Sequence, residues 1–184
     1  MKYGLETGKL LLAEPFMLDA NFKRAVILLC DCHYEGALGF IVNKPMDIRV
    51  DELLEDFPEK EMKLYFGGPV AHDTIHFIHR KGDLVENSVE IANGIFWGGE
   101  FEKIKFLMKN EVITADDIRF FIGYSGWSPG QLEEELAYKS WILANMDKNY
   151  LFSGKSTDLW SQVMNNKGGH FQVIADISDF SNLN

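Results

Sequence analysis

The chain has 184 residues, of which 46% are hydrophobic and 13% aromatic, with a formal net charge of −10 and a pI near 4.9. This composition excludes a disordered chain, and the length fits one domain over residues 1–184 that can bury about 70% of the surface its unfolded state exposes. The acidic balance opposes a large basic face for phosphate contacts, so we expect no direct binding to duplex DNA.

The compartment is indicated by the two cysteines and by the lack of long apolar runs. Cys30 and Cys32 stand one residue apart on a predicted strand, where their side chains share a face but seldom form a relaxed disulfide. Two sulfurs alone cannot complete a zinc site. The start of the chain lacks the apolar run of a signal peptide, and no run approaches the ~18 residues that span a bilayer. We predict free thiols in a cytoplasmic protein with no membrane contact.

In chain order, the first elements are apolar runs of strand length. Residues 10–13 predict a strand, and residues 25–32 and 36–42 predict a buried hairpin. Val50, Leu53, Leu54 and Phe57 have helical spacing, which predicts a helix over residues 50–57 that ends before Pro58.

The rest of the chain continues with short strands and a few helices. Strands are predicted at residues 63–66, 75–80, 85–91, 95–97, 119–124, 141–144 and 171–177. Helices are predicted at residues 101–109 and, after an N-cap at Ser156, around Leu159, Trp160 and Val163. The strands outnumber the helices without βαβα alternation, which predicts an α+β fold with mixed or antiparallel pairing.

The clearest local signal is the sequence S-P-G-Q at residues 128–131. Ser128 is predicted as N-cap, Pro129 as the first helical residue and Gln131 as the third, which combines a capping box with the preferred proline position. This pattern predicts a rigid corner leading into a helix.

Ser125 is a candidate nucleophile because G-Y-S-G-W at residues 123–127 lies at a strand-to-helix turn. The nucleophile elbow G-x-S-x-G requires a glycine where this chain has Trp127. We therefore interpret the segment as a tight turn in which Ser125 is structural.

Three histidines, His72, His76 and His79, lie within eight residues. His76 and His79 point to opposite faces of a strand because their separation is odd. We expect surface or partly packed histidines and no metal site. The phosphate-binding and zinc-protease motifs are missing as well, so no cofactor is predicted.

Several segments together resemble the YqgE/AlgH family of bacterial proteins. They are G-K-L-L-L-A-E-P at residues 8–15, G-A-L-G at 36–39, N-K-P at 43–45, G-G-P-V at 67–70, and G-Y-S-G-W-S-P-G-Q-L-E at 123–133. Ala20 and Cys32 depart from the family, which often has proline and histidine there. The resemblance implies an α+β fold whose mixed or antiparallel strands form a small barrel-like bifurcated sheet surrounded by helices. The family carries a transcriptional-regulator label without a settled activity.

The first functional hypothesis is a non-catalytic binding or regulatory module for an unidentified protein or small molecule, since rigid turns can present a contact surface. The candidate binding residues lie in three turns: Asn43 and Pro45; Gly67, Gly68 and Pro69; and Gly126, Trp127, Gly130 and Gln131. Trp127 either offers a stacking face beside the helix start or lies in the core.

The second hypothesis is an enzyme of unrecognised type, such as a hydrolase using Ser125 or His79. A pocket that brings these two side chains within hydrogen-bond reach would favour it. The third is a nucleic-acid regulator, which a contiguous basic surface would favour.

Overall fold

The computed structural model describes residues 2–152 and 158–180. This part contains a short 3-10 helix at Lys2–Gly4, ten strands and six α-helices. The strands are β1 Lys9–Ala13, β2 Val26–His33, β3 Gly36–Ile41, β4 Pro45–Arg49, β5 Lys63–Phe66, β6 Val70–His79, β7 Val89–Ala92, β8 Ile95–Trp97, β9 Ile118–Trp127 and β10 Trp141–Asn145. The helices are α1 Val50–Leu53, α2 Phe101–Lys109, α3 Gln131–Ala137, α4 Asn149–Phe152, α5 Leu159–Lys167 and α6 His170–Phe180. None of these described helices is long and apolar enough to cross a membrane.

The strands form one curled sheet of mixed pairing. Its main order is β10-β1-β2-β3-β9-β6-β8-β7, and neighbours in that order pair antiparallel. β5 lies off this path and pairs parallel with β9 and antiparallel with β4. The predicted α+β class with mixed or antiparallel strands is confirmed, as is the predicted β2–β3 hairpin.

The sheet divides at β9. The first half of β9 pairs with β5 and β6, whereas its last three residues pair with β3. Between these halves, Gly123 has φ 67, a left-handed conformation that glycine adopts without strain. The backbone of Gly8, just before β1, lies against the carbonyl of Ile91 in β7, since a Cβ on Gly8 would be 2.3 Å from that oxygen. The sheet therefore curls until β7 approaches the first strands. These features confirm the barrel-like bifurcated sheet.

The first strands are buried on both faces, which explains their continuous apolar sequences. Leu10 and Leu12 pack into one cluster with α4, α5 and α6, whose largest member is the fully buried Trp160. Leu11, between them, points into a second cluster with Trp127, on the side of α3. A strand covered on both faces has no solvent-facing position, so its sequence does not alternate.

A third cluster fills the space between the second half of the sheet and the helices α1 and α2. Leu64 and Phe120 of the sheet meet Ile104 and Met108 of α2 there. The predicted helix over residues 101–109 is confirmed as α2. Its apolar stripe covers this part of the sheet.

Two predicted elements differ from the structure. The helix predicted over residues 50–57 ends at Leu53, because Leu54 is extended and Asp56 has φ 56. Pro58 disfavours helical geometry in the residue before it, and Phe57 reaches the core from a turn instead. The strand predicted over residues 85–91 is restricted to Val89–Ala92.

The strand predicted over residues 171–177 is wrong, since this segment belongs to helix α6. Phe171, Ile174 and Ala175 are spaced at i, i+3 and i+4, and this helical stripe packs against the first core cluster. A short apolar run does not by itself separate a strand from a buried helix. The predicted cap Ser156 lies outside the described residues, and Asp158 caps α5 by accepting a hydrogen bond from the Ser161 N–H at 3.0 Å.

The expected common face of the two cysteines is also wrong. A β-bulge between Leu29 and Asp31 inserts Cys30 as an extra residue in β2. Cys30 therefore packs in the first cluster and Cys32 against the second, and both are free thiols. Burial raises the pKa of Cys30, and burial, Glu133 and Asp31 raise that of Cys32 to about 11, so neither is an activated thiolate.

Candidate functional site

The chain makes a sharp corner where β9 ends and α3 begins. The Gln131 N–H donates to the Ser128 carbonyl at 3.1 Å, and Gly130 has φ 77 and ψ −15. With Pro129 in the second position, these values define a type II turn. The predicted corner is present as this tight turn.

The predicted helix start, with Ser128 as N-cap and Pro129 as the first helical residue, is wrong by two residues. Helix α3 begins at Gln131, and the preceding Gly130 occupies the N-cap position without a side-chain hydrogen bond. The left-handed Gly130 prevents the helix from extending back to Ser128. Half of the predicted capping box is present, because the Ser128 N–H donates to Oε1 of Gln131 at 3.0 Å.

Trp127 lies beneath this corner and is 7% exposed. Its indole N–H donates to Oε2 of Glu135 at 2.9 Å, and the indole N–H of Trp141 donates to the same oxygen at 2.6 Å. The two indoles meet edge to face with centroids 6.1 Å apart. The side chain of Gln131 donates to the other oxygen of Glu135 at 2.9 Å. The structure thus places Trp127 in the core and leaves no exposed indole face.

A close backbone contact lies on the other side of the corner. Gly67 and Gly68 are buried against β9: a Cβ on Gly67 would lie 2.2 Å from the Gly123 oxygen, and one on Gly68 would lie 2.3 Å from the Tyr124 carbonyl carbon. Ser125 Oγ donates to the Gly67 carbonyl at 3.2 Å. These glycines do not face solvent themselves, but they hold the exposed Pro69 beside β9.

Two open grooves meet at this corner. One, of about 520 Å³, runs between Asp31, Glu35 and Pro129. The other, of about 470 Å³, runs between Asp19, Pro69 and Gln131. Val70, Gly126 and Trp127 line both grooves. We call the exposed residues at this junction the corner surface: Pro69, Val70, Gly126, Pro129 and Gln131.

The structure thus brings together four of the predicted binding residues, Pro69, Gly126, Trp127 and Gln131, in one groove. Sequence reasoning missed other residues that line the grooves, among them Val70 and Glu135. Val70 gave no signal beyond its place after the G-G-P turn. Glu135 had a weak one, because its spacing of four from Gln131 places the two side chains on one helix face.

Asn43 and Pro45 line neither groove. The Asn43 side chain accepts from the Val26 N–H and donates to the Arg24 carbonyl, both at 2.8 Å, so it fixes the start of β2. Pro45 is exposed at the start of β4, whose partner is β5. A proline is tolerated there because β4 lies at an edge.

The hydrolase candidates do not meet. Ser125 and His79 are 1% and 0% exposed, and His79 pairs with Ile118, seven positions before Ser125 on β9. That separation corresponds to about 20 Å along an extended strand. Nε2 of His79 is 3.0 Å from the Gly98 carbonyl, and Nδ1 accepts from the Lys81 N–H at 3.2 Å. Burial lowers the pKa of His79, so its imidazole is neutral and its two nitrogens are engaged by backbone.

The three histidines have different environments. His72 is exposed, and His76 is half-buried with Phe40 and Tyr124 at centroid distances of 5.1 and 5.9 Å. The expectation of surface or partly packed histidines is wrong for His79, because its backbone hydrogen bonds permit full burial. In the described ranges, no group of three or more His, Cys, Asp or Glu side chains could hold a metal ion.

The fold and the site together define a class of protein: an α+β half-barrel in which two grooves lie beside the turn between β9 and α3. The sequence matches the AlgH-like family over residues 10–172. It is 44% identical to a UPF0301 protein of Chlorobium phaeobacteroides over 180 residues, covering 98% of this chain and 96% of that protein. A UPF0301 protein of Chlorobium limicola is 42% identical over the same length, with the same coverage of both chains.

Two solved structures share this fold. The AlgH protein of Pseudomonas aeruginosa superposes with a TM-score of 0.73 at 25% identity, covering 95% of this chain and 96% of that one. A protein of Corynebacterium diphtheriae superposes with a TM-score of 0.78 at 24% identity, covering 95% and 94%. The chain belongs to the AlgH-like family, as its sequence resemblance indicated.

Proposed function

We propose that this protein is a non-catalytic binding module that acts in regulation by holding a protein partner at the corner surface. The observation that carries this proposal is that two open grooves share the lining residues Val70, Gly126 and Trp127 at one tight corner. Each groove has the volume of an ordinary ligand pocket. Two adjacent grooves fit an extended protein segment better than one small metabolite.

The rigidity of the corner favours binding because little conformational freedom is lost when a partner docks. Gly67 and Gly68 fix one side through backbone contact, and Glu135 fixes the other by accepting from two indoles. Val70, which is 38% exposed, stands between these anchors as an apolar contact point.

The charge around the grooves selects the chemistry of the partner. Asp31 and Glu35 line the first groove and Asp19 lines the second. A segment that combines apolar side chains with lysine or arginine complements this lining. The partner is therefore expected to present a basic and apolar segment.

The two free thiols suit a reducing compartment, which supports action in the cytoplasm.

Val70→Lys tests this function because it places a long cation where both grooves meet. We expect at least a tenfold loss of partner affinity, since the new charge repels a basic segment and obstructs the junction. Val112→Lys is the matched control, because Val112 is 45% exposed and lines neither groove. Both variants should keep their stability within about 0.5 kcal/mol, as surface substitutions usually do.

The measurement begins with parallel affinity purification of the wild type and the two variants from the native bacterium, followed by mass spectrometry. A protein recovered by the wild type and by Val112→Lys, but not by Val70→Lys, is then titrated calorimetrically against all three. Equal affinity for Val70→Lys would contradict the proposal. Recovery of a small molecule that is chemically converted would favour the enzyme hypothesis instead.

Any effect on transcription is expected to pass through this protein partner and not through DNA. The chain has 28 acidic against 18 basic residues, so long-range repulsion opposes approach to a duplex. Fluorescence anisotropy with a labelled duplex should give affinities weaker than about 1 μM at physiological salt. Submicromolar binding that weakens steeply as salt is added would support the nucleic-acid hypothesis.

A further inference from the structure

A smaller cavity of about 210 Å³ lies away from the corner surface, beside the first half of β9. It shares no lining residue with the two grooves. Its lining includes Arg119 of β9, Tyr65 of β5, and Leu151 and Phe152 of α4. Its volume equals that of about seven molecules of liquid water, enough for a small organic molecule.

Arg119 is the chemically distinctive group in this cavity. One terminal nitrogen donates to the Val42 carbonyl at 2.7 Å, and the other donates to the Leu151 carbonyl. The guanidinium carbon lies 4.3 Å from the centroid of the Tyr65 ring. A guanidinium has five N–H donors, so three remain. Within residues 2–152 and 158–180, no carboxylate pairs with Arg119.

Within the described part of the chain, Arg119 is partly buried and pairs only with two carbonyls and a ring, so no opposite charge replaces the hydration it has lost. Carbonyl dipoles and the ring face offset part of the lost hydration, but a full negative charge offsets more. Burial lowers the pKa of Arg119, although a guanidinium stays charged at neutral pH. Arg119 therefore places a fixed positive charge beside the apolar Met62, Leu151 and Phe152, in a lining that also includes Glu61, Lys63 and Asp116. Such a charge next to apolar side chains suits an anion with an apolar body.

We propose that this cavity binds a small monocarboxylate with an apolar body, and that Arg119 receives its carboxylate group. The planar guanidinium matches a carboxylate in shape and can donate two parallel hydrogen bonds. Tyr65, Leu151 and Phe152 contact the apolar body. This site is separate from the corner surface and does not depend on the partner proposed there.

The charges on the rim limit the ligand to one negative charge. Lys63 and Arg119 contribute two cations to the lining, and Glu61 and Asp116 contribute two anions. A polyphosphate or dicarboxylate would face the two acidic side chains with charge left over, whereas a monocarboxylate is neutralised by Arg119 alone. The volume likewise limits the body to about the size of one aromatic ring.

Benzoate is a suitable probe, with benzyl alcohol as a neutral analogue of similar shape. Titration of the ¹⁵N-labelled protein, followed by NMR, should show saturable shifts around Tyr65 and Arg119 with a Kd near 1 mM or tighter, about −4 kcal/mol. Benzyl alcohol should bind at least tenfold more weakly. Equal binding of the two probes, or no saturable shift with benzoate, would overturn the proposal.

Two variants locate the site. Arg119→Lys keeps a cation but removes the planar guanidinium with its two parallel donors, and it should weaken benzoate binding at least tenfold. Arg119 also donates a hydrogen bond to the Leu151 carbonyl, so that variant can lose stability. Ala115→Trp is therefore the second test. Ala115 is exposed and lines the cavity. Its indole should fill the cavity and abolish binding in a folded protein, whereas Val89→Lys, at an exposed residue that lines neither the cavity nor the grooves, should bind benzoate normally. Unchanged binding in Ala115→Trp would place benzoate elsewhere and refute this site.

Discussion

Trp127→Ala is expected to lower the free energy of unfolding by about 3–5 kcal/mol, the range for removing a buried aromatic side chain. Trp127 is 7% exposed and packs edge to face on Trp141. Its loss leaves a cavity under the corner and removes one of the donors to Glu135. Urea denaturation followed by far-UV circular dichroism measures the change without depending on the indole's own fluorescence.

Trp127→Phe separates the two contributions of this side chain. Phenylalanine keeps most of the apolar volume but cannot donate to Glu135, so a loss of about 1–2 kcal/mol is expected. Gln131→Ala removes another donor to the same carboxylate at an exposed position and should cost less than either. If Trp127→Ala costs less than about 1 kcal/mol, the indole is not the support of the corner and its burial in the structure is wrong.

The sequence predicted best those elements whose hydrophobic pattern follows directly from which of their faces are covered. The run of Leu10, Leu11 and Leu12 is readable as a strand because both faces of β1 are covered by other elements. Helix α2 is readable because only one of its faces is covered. The division of the sheet at β9 came from family resemblance, since no local pattern states that one strand pairs with β3 at one end and with β5 and β6 at the other.

The errors arose where tertiary contacts override the local pattern. A bulge at Cys30 reverses the face of every later residue in β2, where the pairing passes from Leu29–Gly39 to Asp31–Leu38. Helix α6 looked like a strand because Phe171 and Ile174 sit in an apolar run whose partner, the first core cluster, is distant in sequence.

The candidate site was predicted only in part, because its turns have local sequence signals and the contact between them does not. The turns at residues 67–69 and 126–131 have glycine and proline signals of their own, so both were identified. That they meet follows from the pairing of Val70 with Tyr124, which is not readable from either turn. The cavity at Arg119 gave no sequence signal, because it joins residues of β5, β9 and α4.

Gly67→Ala is expected to destabilise the protein by about 4 kcal/mol or more, or to prevent folding. The new Cβ would lie 2.2 Å from the Gly123 carbonyl oxygen and 3.1 Å from Phe121 and Phe40, so neither the backbone nor the buried rings can move aside cheaply. Urea denaturation, with a ¹⁵N–¹H spectrum to test for a folded state, measures the effect.

Gly94→Ala is the matched control because it changes the same atom in open space. Gly94 has φ 73 and no atom within 4 Å of the added Cβ, so only backbone strain of about 1–2 kcal/mol is expected. Equal losses in the two variants would mean that the close approach of Gly67 to β9 is not required for folding. A much larger loss at Gly67 would show that steric contact, not glycine's flexibility, selects this residue. Since Gly67 and Gly68 lead directly into Pro69, which lines the second groove, the same result would explain why the corner surface depends on a buried glycine.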